Sequence, residues 1–360
     1  MTLNQPAHST GSHPTPPLVS VIIPLHNAEP FVGSAVRSVL EQTWPDLEVI
    51  LVDDGSTDGS LEQCKALTDP RIRLIRQPKR GASAARNLGI RAARGRYLAF
   101  LDADDCWKPD KLQRHLDVLE RERSIGLSFD RCVTIDARGE LLGLPQPSHT
   151  LAYVGLSDLL IRSPIWTASA FVMRREALQD VERELLVDGA LRPCFFDEAL
   201  ESGNDKELYV RLAATTGWQL AGIDAVLTCY RLNLTGITSQ SLDDPLHQAR
   251  WDRLLERIRT YAAVTVDPLE ASIRTHALWR LTRLIPLHDR PHARPAALFY
   301  RALSRDPLQG VREPRFVAAA FLETHLYSAL PFPLYQRLWT SALYAARLLQ
   351  RPRGGPGTTP

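Results

Sequence analysis

Apolar residues in this chain follow two alternating rhythms, and the first begins abruptly at Leu18. Leu18-Val-Ser-Val-Ile-Ile-Pro24 is a nearly unbroken β-branched run, as expected of a strand buried on both faces of a parallel sheet. A 3.6-residue period then runs from about Glu29 to Gln42, with Val32, Val36, Val39 and Leu40 on one face. Leu47 to Val52 is a second strand, and Ser60 with Gln63 has capping-box spacing for a short helix. Arg71 to Arg76 reads as a third strand. Ala82 to Arg94 reads as an alanine-rich helix closed by Gly95, and Tyr97 to Leu101 as a fourth strand.

Strands alternating with helices at this spacing predict βαβ units and a parallel sheet. Ligands of such sheets bind beyond the carboxyl ends of the strands. The polar clusters Pro24–Asn27, Asp53–Ser56 and Asp102–Asp105 all fall at those ends, so they converge on one edge. Beyond Gln113 the rhythm loosens. Residues 125–135 predict a strand that turns through Ala137-Arg138-Gly139, and residues 140–165 are irregular. Ala168 to Met173 reads as a strand, Lys206 to Thr215 as a helix and Trp218 to Tyr230 as strand again. After Pro245 the positions of Trp251, Leu254, Leu255, Ile258 and Ala262 are helical, and repeated prolines then cut the chain into short helices.

Composition narrows the class. The chain has 360 residues, 44% hydrophobic and 23% charged, which suits a large globular protein and excludes a mainly disordered one. The formal charge of +2 hides a split. Residues 245–360 carry 17 arginines and no lysine against 8 acids, whereas residues 1–244 carry 26 bases against 33 acids. An acidic body joined to a basic tail results. No run approaches the roughly 18 apolar residues of a membrane-spanning helix. Residues 1–17 are polar and proline-rich, which predicts a disordered leader rather than an export signal. Five scattered cysteines without a CxxC pair argue against a disulfide framework or zinc ribbon and fit a reducing cytosol.

Chemistry concentrates at the predicted strand ends. Asp102 and Asp104, at i and i+2, can share a hard divalent ion with phosphate oxygens, or can simply belong to a loop that caps the next helix. Asp53-Asp54-Gly-Ser-Thr-Asp58 reads either as a turn and helix cap or as a fixed acceptor for a nucleotide base. Arg86 sits among small residues, where its guanidinium can reach a phosphate or base as a fixed fork. Asp205 opens a helix, either as cap or first-turn acid or as a carboxylate facing the sheet edge. Neither GxGxxG nor a P-loop occurs, which weakens dinucleotide-dehydrogenase and P-loop readings.

Four motifs, in order, resemble the family 2 glycosyltransferases: Val19-Ser-Val-Ile-Ile-Pro-Leu-His-Asn27, Val52-Asp-Asp-Gly-Ser-Thr-Asp58, Gly81-Ala-Ser-Ala-Ala-Arg-Asn87 and Phe100-Leu-Asp-Ala-Asp-Asp105. The resemblance covers roughly residues 18–240. It implies a GT-A (Rossmann-like) α/β domain with a mostly parallel central sheet, followed here by a C-terminal helical extension. Within that domain the resemblance implies a nucleotide-binding half (18–113) and an acceptor half (114–240), while composition and periodicity add a leader (1–17), an Arg-rich helical extension (245–350) and a disordered tail (351–360). Pro24, His26, Asn27 and Asp54 would hold the nucleotide base, with His26 where the family often has Tyr, and Arg86 would approach the base or phosphates. Asp102 would contact the ribose, and Asp104 would bind Mg²⁺ or Mn²⁺. Asp205 lies at the place of the catalytic base, in an Asn204-Asp205 pair where the family has two acids. Arg231 to Ser239 loosely matches the loop near the diphosphate.

The implied activity is inverting transfer of a sugar, UDP-linked by default, to a glycan or lipid-linked acceptor in envelope or surface polysaccharide synthesis. Nucleotidyl transfer and non-catalytic nucleotide-sugar binding stand as alternatives. Arg250, Arg253, Arg257 and Arg259 form a basic face on an apolar helix. That face suits either peripheral contact with the anionic inner leaflet or a packed extension with solvated arginines. Nucleic acid is not expected, because no recognition module is present.

Overall fold

A computed structural model describes residues 18–145, 153–187, 189–232 and 245–284. The expected leader, residues 233–244 with the rest of the segment matched to the diphosphate loop, and the chain from 285 onward, including the tail expected to be disordered, lie outside the described residues.

The first half alternates as the hydrophobic rhythm predicts: β1 (Val19–Leu25), α1 (Val32–Leu40), β2 (Leu47–Asp54), α2 (Ser60–Ala66), β3 (Ile72–Gln77), α3 (Ala82–Ala92) and β4 (Tyr97–Phe100). These strands pair in the parallel order β3-β2-β1-β4. Both faces of β1 are buried, and its side chains alternate between two cores. Ile22 packs under α3, while Val19, Val21, Ile23 and Leu25 pack under α1. Pro24 is tolerated inside this buried strand because of its register. Pairing with β4 ends at Ile22–Phe100, so the missing N–H falls just beyond the last shared rung.

The second half comprises β5 (Cys106–Trp107), α4 (Lys111–Arg121), β6 (Ile125–Ile135), β7 (Leu141–Pro145), α5 (Leu156–Ile161), β8 (Phe171–Arg174), α6 (Arg175–Gln179), β9 (Arg183–Val187), β10 (Ala190–Cys194), α7 (Asn204–Thr215), β11 (Gln219–Arg231) and α8 (Pro245–Leu284). It extends the sheet through β8, β6, β11 and β5 with mixed parallel and antiparallel pairing, while β9 and β10 form a separate ribbon. The turn expected at 137–139 is present and joins β6 to β7.

Three local expectations need correction. Residues 140–165 are not irregular throughout, since they hold β7 and α5. Residues 168–170 form a 3-10 turn rather than strand, because the Thr167 hydroxyl accepts from the Ser169 N–H, and the strand starts only at Phe171. The Ser60–Gln63 capping box does not form. Gly59 takes the cap position, while the Ser60 hydroxyl accepts from the Ala28 N–H at 2.8 Å and donates to Asp58. The serine thus ties the β1 loop to the β2 loop. α8 shares the main core through Leu254, Leu255 and Ile258, and it kinks at Ala262, where φ is −138°.

Candidate active site

Loops at the carboxyl ends of β1, β2 and β4 stitch together into one edge. Asn27 adopts a left-handed φ of 52°, which aims its amide across to the neighbouring loop. Its Oδ1 accepts from the Thr57 N–H at 2.8 Å, and its own N–H donates to Ser56 Oγ at 3.2 Å. His26 lies beside it, half-buried, with Nδ1 enclosed and unpartnered. Asp54 is almost fully buried and accepts from Gln77 Nε2 (2.7 Å), the Arg80 N–H (2.8 Å) and the Gly81 N–H (2.8 Å). Its carboxylate therefore folds the 79–81 loop onto β2, and three of its acceptor positions are taken. Asp53 accepts from the Ser56 N–H at 3.0 Å, completing the Asx turn that the sequence suggested.

The acidic run after β4 divides its labour. The Asp102 carboxylate pairs with Arg86 Nη2 at 2.5 Å and accepts from the Thr167 hydroxyl at 3.2 Å. Asp105 points inward, accepting from Ser169 Oγ at 2.7 Å and from the Arg231 N–H at 2.9 Å. Ser169 also accepts from the Asp102 N–H at 3.0 Å, so one buried hydroxyl fixes both ends of the run. Arg231 donates through Nε to the Asp104 carbonyl at 2.7 Å. Among the described residues, the Asp104 carboxylate, held between them, bonds to no other residue's side chain. Burial, and then the charge of Asp102, raise its pKa to about 6. A site where carboxylates crowd one another out of water is a site where a cation is stabilised.

α7 delivers the last acid. Gly203 occupies the cap position in the left-handed region (φ 73°), so Asp205 is a first-turn acid one residue inside the helix and not the cap. Asp205 accepts from the Lys206 N–H at 2.7 Å. Burial raises its proton affinity, while the nearby Arg86 charge opposes the rise. Arg86 is the link between halves. It stacks on Phe196 at 5.3 Å from the ring centroid, pairs with Asp102, and donates from Nη1 to Asn204 Oδ1 at 3.2 Å. An amide at position 204 accepts this bond without adding a second negative charge beside Asp205. The next residue of α3, Asn87, accepts from the Phe195 and Phe196 N–H groups at 3.1 and 2.9 Å and donates to the Phe196 carbonyl at 2.9 Å.

Arg86, Asp102, Asp104 and Asp205 thus meet at one place, with Asn27, His26 and Asp54 on the adjoining strand ends and Pro24 inside β1. Thr167, Ser169, Asp105 and Arg231 were not singled out as site residues by the sequence. For Asp105 and Arg231 the signal is their place inside matched segments, Phe100–Asp105 and Arg231–Ser239. Thr167 and Ser169 carried none, since their role comes from a turn that folds back over more than sixty residues. Among the described residues no three His, Cys, Asp or Glu side chains form a ready-made metal cage. Asp102 and Asp104 are hard oxygen donors that fit Mg²⁺ or Mn²⁺ only if further oxygens come from a ligand.

Residues 20–182 match the family described as glycosyl transferase family 2. The chain is 45% identical over 188 residues to the uncharacterized glycosyltransferase EpsJ of Bacillus subtilis (strain 168), covering 49% of this chain and 53% of that protein. It is 47% identical over 117 residues to the putative teichuronic acid biosynthesis glycosyltransferase TuaG of the same organism, covering 31% and 46%. The chain therefore spans about half the length of these relatives. Among solved structures, S. aureus TarS 1–349 in complex with UDP-GlcNAc superposes with a TM-score of 0.56 at 18% identity, covering 93% of each chain. The mannosyltransferase PcManGT from Pyrobaculum calidifontis, in complex with GDP-Man and Mn²⁺, gives 0.53 at 21% identity, covering 91% and 84%. At these identities the likeness is one of fold, and that fold is GT-A.

Proposed function

With the match of residues 20–182 to glycosyl transferase family 2 as the starting point, we propose that this chain transfers a sugar from a nucleoside-diphosphate sugar to a hydroxyl of a glycan or lipid-linked acceptor, with inversion. The observation that carries this reading is the meeting of Asp102, Asp104 and Asp205 around Arg86 at the carboxyl edge of the sheet. Asn27, His26 and Asp54 line the strand ends where the base would sit, and the buried, unpartnered His26 Nδ1 supplies a polar atom for it. Asp102 would meet the ribose. Asp104 would hold Mg²⁺ or Mn²⁺, whose charge would offset that building on the departing diphosphate. Asp205 takes the proton of the acceptor hydroxyl as its oxygen attacks the anomeric carbon, and the raised proton affinity of a buried carboxylate suits it to that task. UDP is the first donor nucleotide to test, in line with the TarS complex. Polysaccharide synthesis is the setting suggested by the name of TuaG.

For the first tail helix, the structure favours the packed reading over lipid contact. Arg250 and Arg253 pair with Glu201, Arg257 pairs with Asp197, and Arg259 pairs with Asp267 and Glu270. No helix among the described residues is long and apolar enough to cross a membrane.

The test is a panel of sugar nucleotides, each with Mg²⁺ and Mn²⁺, assayed for nucleotide release with Asp205→Asn as control. Acceptor-dependent release of nucleoside diphosphate is expected. Release of sugar 1-phosphate from the sugar nucleotide, or of pyrophosphate when a nucleoside triphosphate and a sugar 1-phosphate are supplied instead, would mark a nucleotidyltransferase, and binding without release a non-catalytic protein.

A further inference from the structure

α8 grips the chain on both sides of Asp205 without bonding to Asp205 itself. Upstream, Arg257 Nε pairs with Asp197 at 2.7 Å and Arg250 Nε pairs with Glu201 at 3.0 Å. Leu254 closes over Gly203 so tightly that a methyl group there would lie 2.7 Å from Leu254 Cδ2. Gly203 is the left-handed cap of α7, so this contact seats the residue from which the helix starts. Downstream, Lys206 Nζ lies 5.3 Å from the centroid of the Trp251 ring. The Tyr261 hydroxyl meets Glu207 Oε1 at 3.2 Å, and Glu207 is fully buried with Arg183 and Arg211, each at 3.1 Å.

Successive residues of a helix turn by about 100°. With Lys206 and Glu207 turned toward α8 and its neighbours, Asp205 is left facing the other way, toward Arg86 and Asp102. The far side of that grip is the domain's own core, which Leu254, Leu255 and Ile258 share with α5 and α7.

We propose that α8 is a positioning element of the transferase: through Arg257, Arg250 and Leu254 it fixes the Asp197–Gly203 approach to α7 and so aims Asp205 at the acceptor hydroxyl. This rests on Asp205 being the base. Arg257, Arg250 and Leu254 are positioning residues, since none of them reaches the reacting atoms. These α8 contacts involve no residue of the 18–113 half, whose Asn87 and Arg80 separately hold Phe196 and Glu198, so loosening them is expected to lower turnover more than donor binding. A misplacement of about 1 Å in a reacting group costs on the order of 10²-fold in rate.

The experiment uses the full chain and the sugar nucleotide that the parent turns over in the panel. Arg257→Met keeps bulk and leaves Asp197 its pairing with Arg183. It is expected to lower kcat by at least about tenfold while donor KM and calorimetric UDP affinity stay within about twofold. Arg257→Lys, which keeps the charge, should restore most of the loss. Parental kcat in Arg257→Met, or a loss of UDP affinity in step with kcat, overturns the proposal. Should Arg257→Met fail to fold, Arg250→Gln is read by amide hydrogen exchange. Faster exchange in the first turn of α7, with β1 unchanged, supports the brace, and unchanged exchange in α7 overturns it. Asp205→Asn keeps the two failures apart. If it turns over like the parent, the base assignment falls and the brace with it. If it is inactive while Arg257→Met is parental, only the brace falls.

Discussion

The donor-side half and the acceptor-side half reach the same sheet edge by different physics. Up to β4, each site residue except Arg86, which α3 carries, stands within a few positions of a strand end, and its loop is tied to the next by bonds such as Thr57 to Asn27. Beyond β4, each site element is held by a distant one: Asp105 by Ser169 and Arg231, Gly203 by Leu254, the 195–196 segment by Asn87. The first half is local and periodic, and the second is tertiary. The halves should therefore fail differently when a single acid is removed.

The largest expected effect lies in that contrast. Asp205→Asn should lower transfer by about 10²–10⁴-fold, the range of general-base help, and leave UDP affinity at the parental level. Asp104→Ala should do the reverse kind of damage. It should abolish the gain in calorimetric UDP affinity that Mn²⁺ gives the parent, a loss of roughly tenfold or more, equal to about 1.4 kcal/mol. Equal loss of affinity in both variants would erase the distinction between halves.

The same contrast explains how far the sequence could be read. Every element from β1 to β4 follows from the alternation of buried runs and helical periods, because a strand covered on both faces needs apolar residues along its whole length. The convergence of Pro24–Asn27, Asp53–Ser56 and Asp102–Asp105 follows from strand order alone. The 3-10 turn at 168–170 escaped because Ala168 to Met173 carries strand-like residues and only the Thr167 cap redirects it. The capping box at Ser60 failed because a tertiary donor, the Ala28 N–H, claimed the hydroxyl first. The basic face of α8 is legible as a pattern, but its partners Asp197 and Glu201 lie some fifty to sixty residues away, beyond any periodic signal.

A second prediction probes the seam where the halves share buried charge. Lys111, His115 and Asp130 are fully enclosed. Lys111 Nζ pairs with Asp130 and approaches His115 Nε2 at 3.2 Å and Thr228 Oγ1 at 3.2 Å, with the Trp107 ring alongside. Lys111→Met would strand the Asp130 carboxylate and should cost about 3–5 kcal/mol in urea unfolding, whereas Lys111→Met with Asp130→Leu should recover most of it. A single variant as stable as the parent would mean that the seam carries no charge pair.

A third prediction is smaller and depends on pH. Burial, then the Lys111 charge, push the His115 pKa down from 6.5 to about 4. Between those values the unfolded chain binds a proton that the folded chain refuses, so this contribution is intact above the unfolded value and is lost as pH falls through the window. The slope approaches about 1.4 kcal/mol per pH unit. Asp104 and Asp105, with raised values, act in the opposite sense over the acid range, so the parent alone gives no clean reading. The stability difference between parent and His115→Gln removes them, and it should shrink as pH falls from 6.5 toward 4. A difference that stays constant across this range would refute the buried neutral histidine.

The smallest effect sharpens the comparison within one helix. Arg253 and Arg257 stand one turn apart on α8 and belong to the same basic face. Arg257 meets Asp197, which is 1% exposed, at 2.7 Å. Arg253 meets Glu201 at 3.7 Å, with both side chains about half exposed (47% and 51%). In high dielectric an ion pair of the second kind contributes at most about 0.5 kcal/mol after side-chain entropy and screening are counted. Arg253→Gln should therefore shift the urea midpoint by no more than that and leave kcat unchanged. If Arg253→Gln instead matched Arg257→Met in its loss of turnover, net positive charge on α8 and not the buried contact with Asp197 would set the reaction. If it alone reduced pelleting with anionic liposomes, the arginine face would be reading phospholipid after all. A silent Arg253 beside a costly Arg257 would place the function of this helix in what it touches and not in the charge it carries.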